Sequence, residues 1–396
     1  MNTSHHMRRL TKIRFSAYKR FAGAEEIELK PVTILVGKNS SGKSSITKLF
    51  PLLRNSLLEN ASKNVLSYTN DGISLGINFG NLAHNGSAVE LKLGVEFSDE
   101  LSIDLDLMSP DGMKVLVYRY ALKYIDKEYS LIWEQAKHNY RCVQTGCLYD
   151  YDYIGFIHVG LFRELGIDPN VKQSIDYIGP IREIPERTIY TTTDAMDSVG
   201  LFGERAYQMF LLDTDLQYRV SQWFYENFEG CSITSKTLSD TGAYQILLHK
   251  MDQGEYFVNI ADEGMGMGQV FPVVVRCLKA INNSIVVLEQ PELHLHPAAH
   301  AQLAKLFANT AKDNNHTYVV ETHSENILLG IREAIVDKSV KFSADDAVIY
   351  FVDEDETGSF LRRITIDEKG VLSDWPIGVF NESYELLRSI REKIVE

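Results

Sequence analysis

The sequence predicts an α/β protein whose parallel core is built from two separated parts of the chain. Three observations predict it. Val32–Val36 is a short apolar, β-rich run that ends in Gly37 and feeds a glycine loop with a helical pattern behind it. From residue 245 onward strand and helix patterns alternate, the order that builds a parallel sheet. Within that second part the apolar run Ile285–Leu288 reads as a buried strand ending in a carboxylate, Glu289.

The elements follow in order. Leu10–Phe15 and Glu26–Leu29 read as strands, and Ser45–Leu58 carries Ile46, Leu49, Phe50, Leu52 and Leu53 at helical spacing despite Pro51. Residues 61–125 are β-rich, with Val89–Phe97, Leu101–Leu107 and Val115–Leu122 alternating or apolar. Residues 126–244 form an aromatic-rich insertion of mixed to helical character. Later come strands at Tyr244–His249 and Tyr256–Ile260, a helix at Gly268–Ala280, a helix at Ala298–Ala311 and a strand at His316–Glu321. Ala347–Val352 and Leu361–Ile366 close the strands, and Tyr384–Val395 forms a last helix. The core is therefore expected from residues 1–60 and 245–396. No heptad pattern is sustained, so no long coiled coil is expected.

Composition narrows the classes. The 396 residues carry 44% hydrophobic and 24% charged side chains, an ordinary globular balance. A net charge of −14 argues against a surface built wholly for nucleic acid and leaves room for a local basic strip. Four cysteines, Cys142, Cys147, Cys231 and Cys277, make no disulfide framework, and Cys142 and Cys147 lack a second zinc-like pair. The N-terminal stretch has no apolar signal region and no run is long enough to span a bilayer, which fits a cytoplasmic protein.

The strongest chemical signal is Gly37-Lys38-Asn39-Ser40-Ser41-Gly42-Lys43-Ser44, followed by Ser45. It satisfies G-x-x-x-x-G-K-[ST] between a strand and a helix. Glycines let backbone N–H groups wrap phosphates at a helix N-terminus. Lys43 can reach the terminal phosphates of ATP, and Ser44 can ligate Mg²⁺. The strand ending in Glu289 places an acid where it can hold that Mg²⁺. Asp262-Glu263-Gly264-Met265-Gly266-Met267-Gly268-Gln269 opens a helix and offers a second anion cradle. His323 ends another strand, where an imidazole can meet a γ-phosphate. His294 and His296, two residues apart and without a third ligand nearby, read as structural or subunit-contact residues.

The order of these motifs resembles the ABC-type ATPase heads of the SMC kind. The resemblance implies that Gly264, Gly266, Gly268 and Gln269 act in trans on a partner's ATP, so that a homodimer completes two sites. It implies a switch role for His323 and a D-loop at Leu295-His296-Pro297. More narrowly, GKNSSGKSS at 37–45, YIGPIRE at 177–183, DEGMGMGQVFP at 262–272, EQPELHLHP at 289–297 and ETHSE at 321–325 resemble the prokaryotic OLD (overcoming lysogenization defect) and Septu-type anti-phage ATPases. Gly370 and Trp375-Pro376-Ile377-Gly378 are similar to relatives of that group. That likeness implies a separate, nuclease-like effector, since the stretch after His323 is too short for the Toprim-type domain many relatives carry.

Two departures bear on chemistry. Gln290 stands where the class places its basic Glu, and an amide cannot take a proton from water. Glu292 is the alternative base. Gly268 replaces a frequent Ser. The leading expectation is a slow, Mg²⁺-dependent ATPase subunit that dimerises around ATP and gates an effector in defence. The alternatives are an SMC- or repair-type DNA-maintenance ATPase, with DNA as a partner, and a nucleotide-sensing assembly module with almost no hydrolysis.

Overall fold

A computed structural model describes residues 8–375, apart from 58–63, 71, 87–89, 113, 172, 193–195, 240–241, 251–255 and 282, together with residues 389–391 and 393. The chain opens with β1 (Leu10–Ser16) and β2 (Glu25–Glu28), then β3 (Val32–Gly37), the glycine loop, and α1 (Lys43–Thr47) breaking at Lys48 into α2 (Leu49–Leu57). Six strands follow: β4 (Leu91–Phe97), β5 (Leu101–Met108), β6 (Leu116–Tyr124), β7 (Lys127–Glu134), β8 (Asn139–Cys142) and β9 (Leu148–Tyr149). After β10 (Ser174–Ile178) come α3 (Ala206–Leu212), α4 (Thr214–Asn227), β11 (Cys231–Ser239) and β12 (Ala243–Lys250). The last part holds α5 (Met265–Leu278), β13 (Ser284–Glu289), α6 (Pro297–Asp313), β14 (His316–Glu321), α7 (Glu325–Val336), β15 (Ala347–Asp355) and β16 (Gly358–Ile364).

Six strands make the central sheet, in the order β10-β13-β14-β3-β15-β16. Neighbours from β10 to β15 are parallel, and β16 pairs antiparallel with β15. Every residue of β13 is buried, which is why it reads as a continuous apolar run. Alternate residues serve two cores. Leu35, Ile285, Val287 and Val319 pack toward α1, α2 and an antiparallel sheet. Ile34, Val286, Leu288 and Val320 pack toward α5, α6 and α7.

The antiparallel sheet has eight strands in the order β9-β8-β7-β6-β5-β4-β1-β2. It gathers β1 and β2 away from the parallel core, because their burial alternates and suits a sheet with one covered face. It also runs on to Tyr149, past residue 125 and into a stretch whose sequence reads as mixed or helical. Tyr140 in that stretch packs edge to face on Tyr153, which does the same on Tyr120 of β6, instead of following a helical stripe. Among the described residues the longest helix is α6, with 17 residues, so no long coiled coil is present there. None of the described helices is long and apolar enough to cross a membrane. The helix expected over 384–395 lies almost wholly outside the described residues, as do Pro376, Ile377 and Gly378.

At the edge of the central sheet far from the glycine loop lies a buried polar network. Arg276 of α5 pairs with Asp176 of β10 and donates to Ser284 Oγ at 2.8 Å. Ser284 Oγ meets His316 Nδ1 at 2.8 Å, and His316 Nε2 lies 3.2 Å from the Lys279 carbonyl. A carbonyl only accepts, so Nε2 carries the proton, and the Ser284 hydroxyl faces two acceptors with its one proton, His316 Nδ1 and the Ile281 carbonyl at 3.0 Å. Burial, reinforced by Arg276, pushes the His316 pKa down to about 3.

Candidate functional site

β3, β13 and β14 are parallel neighbours, so their C-terminal ends meet at one edge of the sheet. That edge gathers Gly37, Glu289 and Glu321. The loop from Gly37 to Gly42 bends there under two backbone constraints. Gly37 has φ +151°, and a Cβ on it would lie 2.4 Å from the Val352 carbonyl oxygen. Gly42 has φ +112° and caps α1 from the left-handed region, against the Phe21 ring. Lys38, Asn39 and Ser40 are exposed, while Ser41 and Lys43 are buried. The Lys43 ammonium donates to the carbonyls of Gly37 at 3.0 Å and Lys38 at 2.7 Å. Burial lowers its pKa, and Glu321 opposes that shift. Ser45 offers its carbonyl to the Tyr18 hydroxyl at 2.9 Å.

The carboxylates around this loop are differently served. Glu289 Oε1 accepts from the hydroxyls of Thr47 and Tyr177. Both Glu321 oxygens face Ser44 Oγ, at 3.0 and 3.1 Å. Burial raises the Glu321 pKa to about 7, helped by Glu289 and opposed by Lys43 and Ser44. Glu292 Oε1 accepts from the Thr322 hydroxyl at 2.7 Å and the His323 N–H at 3.0 Å. Its Oε2 is buried with no partner among the described residues. Burial and Lys43 lower the His323 pKa, while Glu292 raises it.

Gln290 sits at φ +45° directly after β13, and its N–H donates to the Glu321 carbonyl at 2.7 Å. Its own carbonyl accepts from Arg182, whose guanidinium also reaches the Glu289 carbonyl at 2.9 Å. Arg182 is 2% exposed. The Gln269 side chain closes a two-way bond with the Arg182 backbone, accepting from N–H at 3.1 Å and donating to C=O at 2.8 Å. Arg182 therefore brackets the end of β13 to α5.

The second glycine cradle is placed differently from a loop before a helix. α5 begins at Met265 with Gly264 as its cap, so Gly266, Gly268 and Gln269 lie in its first turns. Gly266 faces the His294 carbonyl, which an added Cβ would meet at 2.8 Å, and Gly268 packs on Pro185. Gln269 is buried in its own chain. Gly264 has open space around it and Met265 is 58% exposed. Pro272 inside α5 has no N–H for the Gly268 carbonyl. The Tyr207 hydroxyl faces that carbonyl and the Glu183 carbonyl, each at 3.3 Å, and shares its proton between them.

His296 caps α6 by accepting from Ala298 N–H at 3.3 Å. Neighbouring His300 bonds Ser324 Oγ at 2.7 Å and lies 3.2 Å from the Leu295 carbonyl. No cluster of three His, Cys, Asp or Glu side chains suited to a metal occurs among the described residues, and the described cysteines are free.

Sequence reasoning gave no role to Thr47, Tyr177, Arg182 or Glu321. Tyr177 and Arg182 lie in YIGPIRE, far in sequence from Glu289 and joined to it only by the β10–β13 pairing. Glu321 carried a readable signal, an apolar run ending in an acid as at Glu289.

Residues 9–153 and 211–328 match the family described as AAA ATPase domain. Residues 342–390 match a family described only as a protein of unknown function. Among solved structures, an Smc head bound to the C-winged helix domain of ScpA is similar over 91% of this chain and 98% of that one, with TM-score 0.52 and 13% identity. The Smc head domain with an extended coiled coil, bound to the C-terminal domain of ScpA and derived from Pyrococcus furiosus, is similar over 97% of this chain and 100% of that one. Its TM-score is 0.50 at 12% identity. Likeness at this identity concerns the fold, which is that of an Smc-head-like P-loop ATPase. None of the curated proteins matches the chain.

Proposed function

The chain belongs to the AAA ATPase domain family, and from that premise we propose that it is a Mg²⁺-dependent ATP-binding subunit that two copies complete by dimerising around ATP. The observation that carries this reading is the convergence of the glycine loop, Lys43, Ser44 and two strand-end carboxylates at one sheet edge. On binding ATP, Lys43 exchanges two loop carbonyls for phosphate oxygens, a charge-assisted gain. The donors present, the Ser44 hydroxyl and the carboxylates of Glu289 and Glu321, suit a hard cation such as Mg²⁺, which would supply positive charge against the phosphates. Hydrolysis is slow because Gln290 cannot accept a proton. Glu292 Oε2, lacking a donor, is the oxygen that takes over that task.

The exposed Gly264–Met265 end of α5 is the surface offered to a partner's nucleotide. Gly266 and Gly268 shape that end, while Gln269 fixes it to Arg182 from within. Met265→Glu tests the arrangement, since a surface substitution costs the single chain within about 0.5 kcal/mol. It should spare ATP binding and block ATP-driven association, read by light scattering. Association like the parent's overturns the trans site.

The likeness to OLD and Septu-type ATPases supports a gated, nuclease-like effector in prokaryotic defence. The Smc-head fold favours a second reading, a DNA-maintenance ATPase. Co-purification with products of neighbouring genes separates the two, because a nuclease found there supports the first.

A further inference from the structure

Glu321 ends β14 and stands in register opposite Glu289 at the end of β13. Both carboxylates therefore leave the sheet at the same edge, beside α1. There they meet different partners. Glu289 Oε1 already accepts two hydroxyls, from Thr47 and Tyr177. Glu321 presents both oxygens to Ser44 Oγ at almost equal distance. A serine has one proton and cannot donate fully to both. The pair is thus an oxygen triad, one hydroxyl and two carboxylate oxygens, in which the hydroxyl proton cannot serve both carboxylate oxygens.

The charge around the triad is unbalanced. Glu289, Glu292 and Glu321 are 7%, 8% and 4% exposed. None of the three makes a side-chain ion pair among the described residues. Lys43 acts on Glu321 from a distance while its ammonium bonds loop carbonyls. Arg182 likewise gives its hydrogen bonds to the carbonyls of Glu289 and Gln290. Glu292, close enough to act electrostatically on Glu321, keeps one buried oxygen with no donor. Buried carboxylates are costly unless a cation or full hydrogen bonding compensates them. A buried carboxylate oxygen without a donor, and two further carboxylate oxygens that share one hydroxyl, are the chemistry of a site for a hard divalent cation.

We propose that Glu321, with Ser44, is a direct ligand of the divalent cation that accompanies ATP, and that Glu289 acts one layer out. Glu289 is held for that outer place by Thr47 and Tyr177, the way outer-shell partners orient a metal's ligands. This rests on the ATP-binding reading.

The test uses the full chain, the non-hydrolysable analogue AMP-PNP, and Mn²⁺ followed by its electron paramagnetic resonance signal. Nucleotide binding is first measured without metal, by calorimetry in EDTA. Glu321→Gln keeps the shape and an acceptor for Ser44, so metal-free nucleotide binding should persist. Its Mn²⁺ affinity in the nucleotide complex should fall by more than the roughly 10- to 100-fold typical of an outer-shell change. Glu289→Gln should fall within that range. Glu321→Asp, which keeps the charge on a shorter stem, should recover part of the loss and guards against misfolding of the glutamine variant. Mn²⁺ affinity unchanged in Glu321→Gln, or lost only in Glu289→Gln, overturns the assignment. Absence of metal-free nucleotide binding by the parent overturns the underlying reading instead, and the calorimetry shows which has failed.

Discussion

Replacing Gln269 with leucine should unfasten α5 from the nucleotide edge. The Gln269 side chain is 4% exposed and makes two bonds to the Arg182 backbone, at 3.1 and 2.8 Å. Leucine has nearly the same volume, so the change removes hydrogen bonds without opening a large cavity. It leaves the Arg182 N–H and C=O buried and unpaired, at about 1–3 kcal/mol each, for a total of about 2–6 kcal/mol. With a urea slope of about 3 kcal/mol/M, the upper end for small proteins, the midpoint of unfolding should fall by roughly 0.7–2 M. Tryptophan fluorescence reads this, since Trp223 lies on α4 beside the α5 core. Arg182→Leu removes donors from the Glu289 and Gln290 carbonyls and should cost a comparable amount. The double variant should lose clearly less than the sum, because both residues belong to one network. Strict additivity, or a shift too small to resolve in Gln269→Leu, refutes the bracket between α5 and the end of β13.

Three further outcomes follow from the same geometry. Lys43→Ala should abolish tight ATP binding, and unchanged affinity in calorimetry would sink the glycine-loop assignment. Turnover of the parent should lie below the ~1 s⁻¹ edge of common enzymes. Gln290→Glu should raise it, and Glu292→Gln should remove what remains by roughly 10²–10⁴-fold, since amide oxygen can still accept from Thr322 and His323. Fast turnover indifferent to both changes shows that the base lies elsewhere. Finally, His316 is neutral when folded and its pKa is pushed down to about 3. The unfolded chain takes up a proton below its ordinary pKa of about 6.5, so stability falls as pH drops from there toward about 3, by about 1.4 kcal/mol per unit. The stability difference between the parent and His316→Gln should shrink with that slope in denaturation at pH 7, 6 and 5, and a flat difference disproves the neutral assignment.

What was legible in the sequence is what lies in one segment or one strand. The glycine loop is read directly because its function resides in backbone geometry set by Gly37, Gly42 and the following helix. β13 and β14 announce themselves because complete burial demands unbroken apolar runs. Tyr177 and Arg182 were not assigned, since only the pairing of β10 with β13 brings them to Glu289, across 112 residues in the case of Tyr177. The start of α5 was misplaced by three residues because glycine is a poor helix former. Gly266 and Gly268 are tolerated there because His294 and Pro185 leave no room for a side chain. β1 and β2 read correctly as strands, yet nothing local tells which sheet a half-buried strand joins.

Gln290 and Glu321 are linked at this edge through charge. Gln290 donates its backbone N–H to the Glu321 carbonyl, so the residues are direct neighbours. A carboxylate at 290 would add a fourth acid to Glu289, Glu292 and Glu321 around one nucleotide. Like charges so close are mutually unfavourable and would also repel the triphosphate. An amide at 290 keeps the number at three while Glu321 faces Ser44. On this account Gln290→Glu restores a base only by crowding the cation site, and its gain in turnover should come with weaker ATP binding. Combining it with Glu321→Gln returns the number of acids to three. The affinity for metal-free nucleotide should then recover, whereas a defect caused merely by the shape of the loop at Gln290 would persist in the double variant.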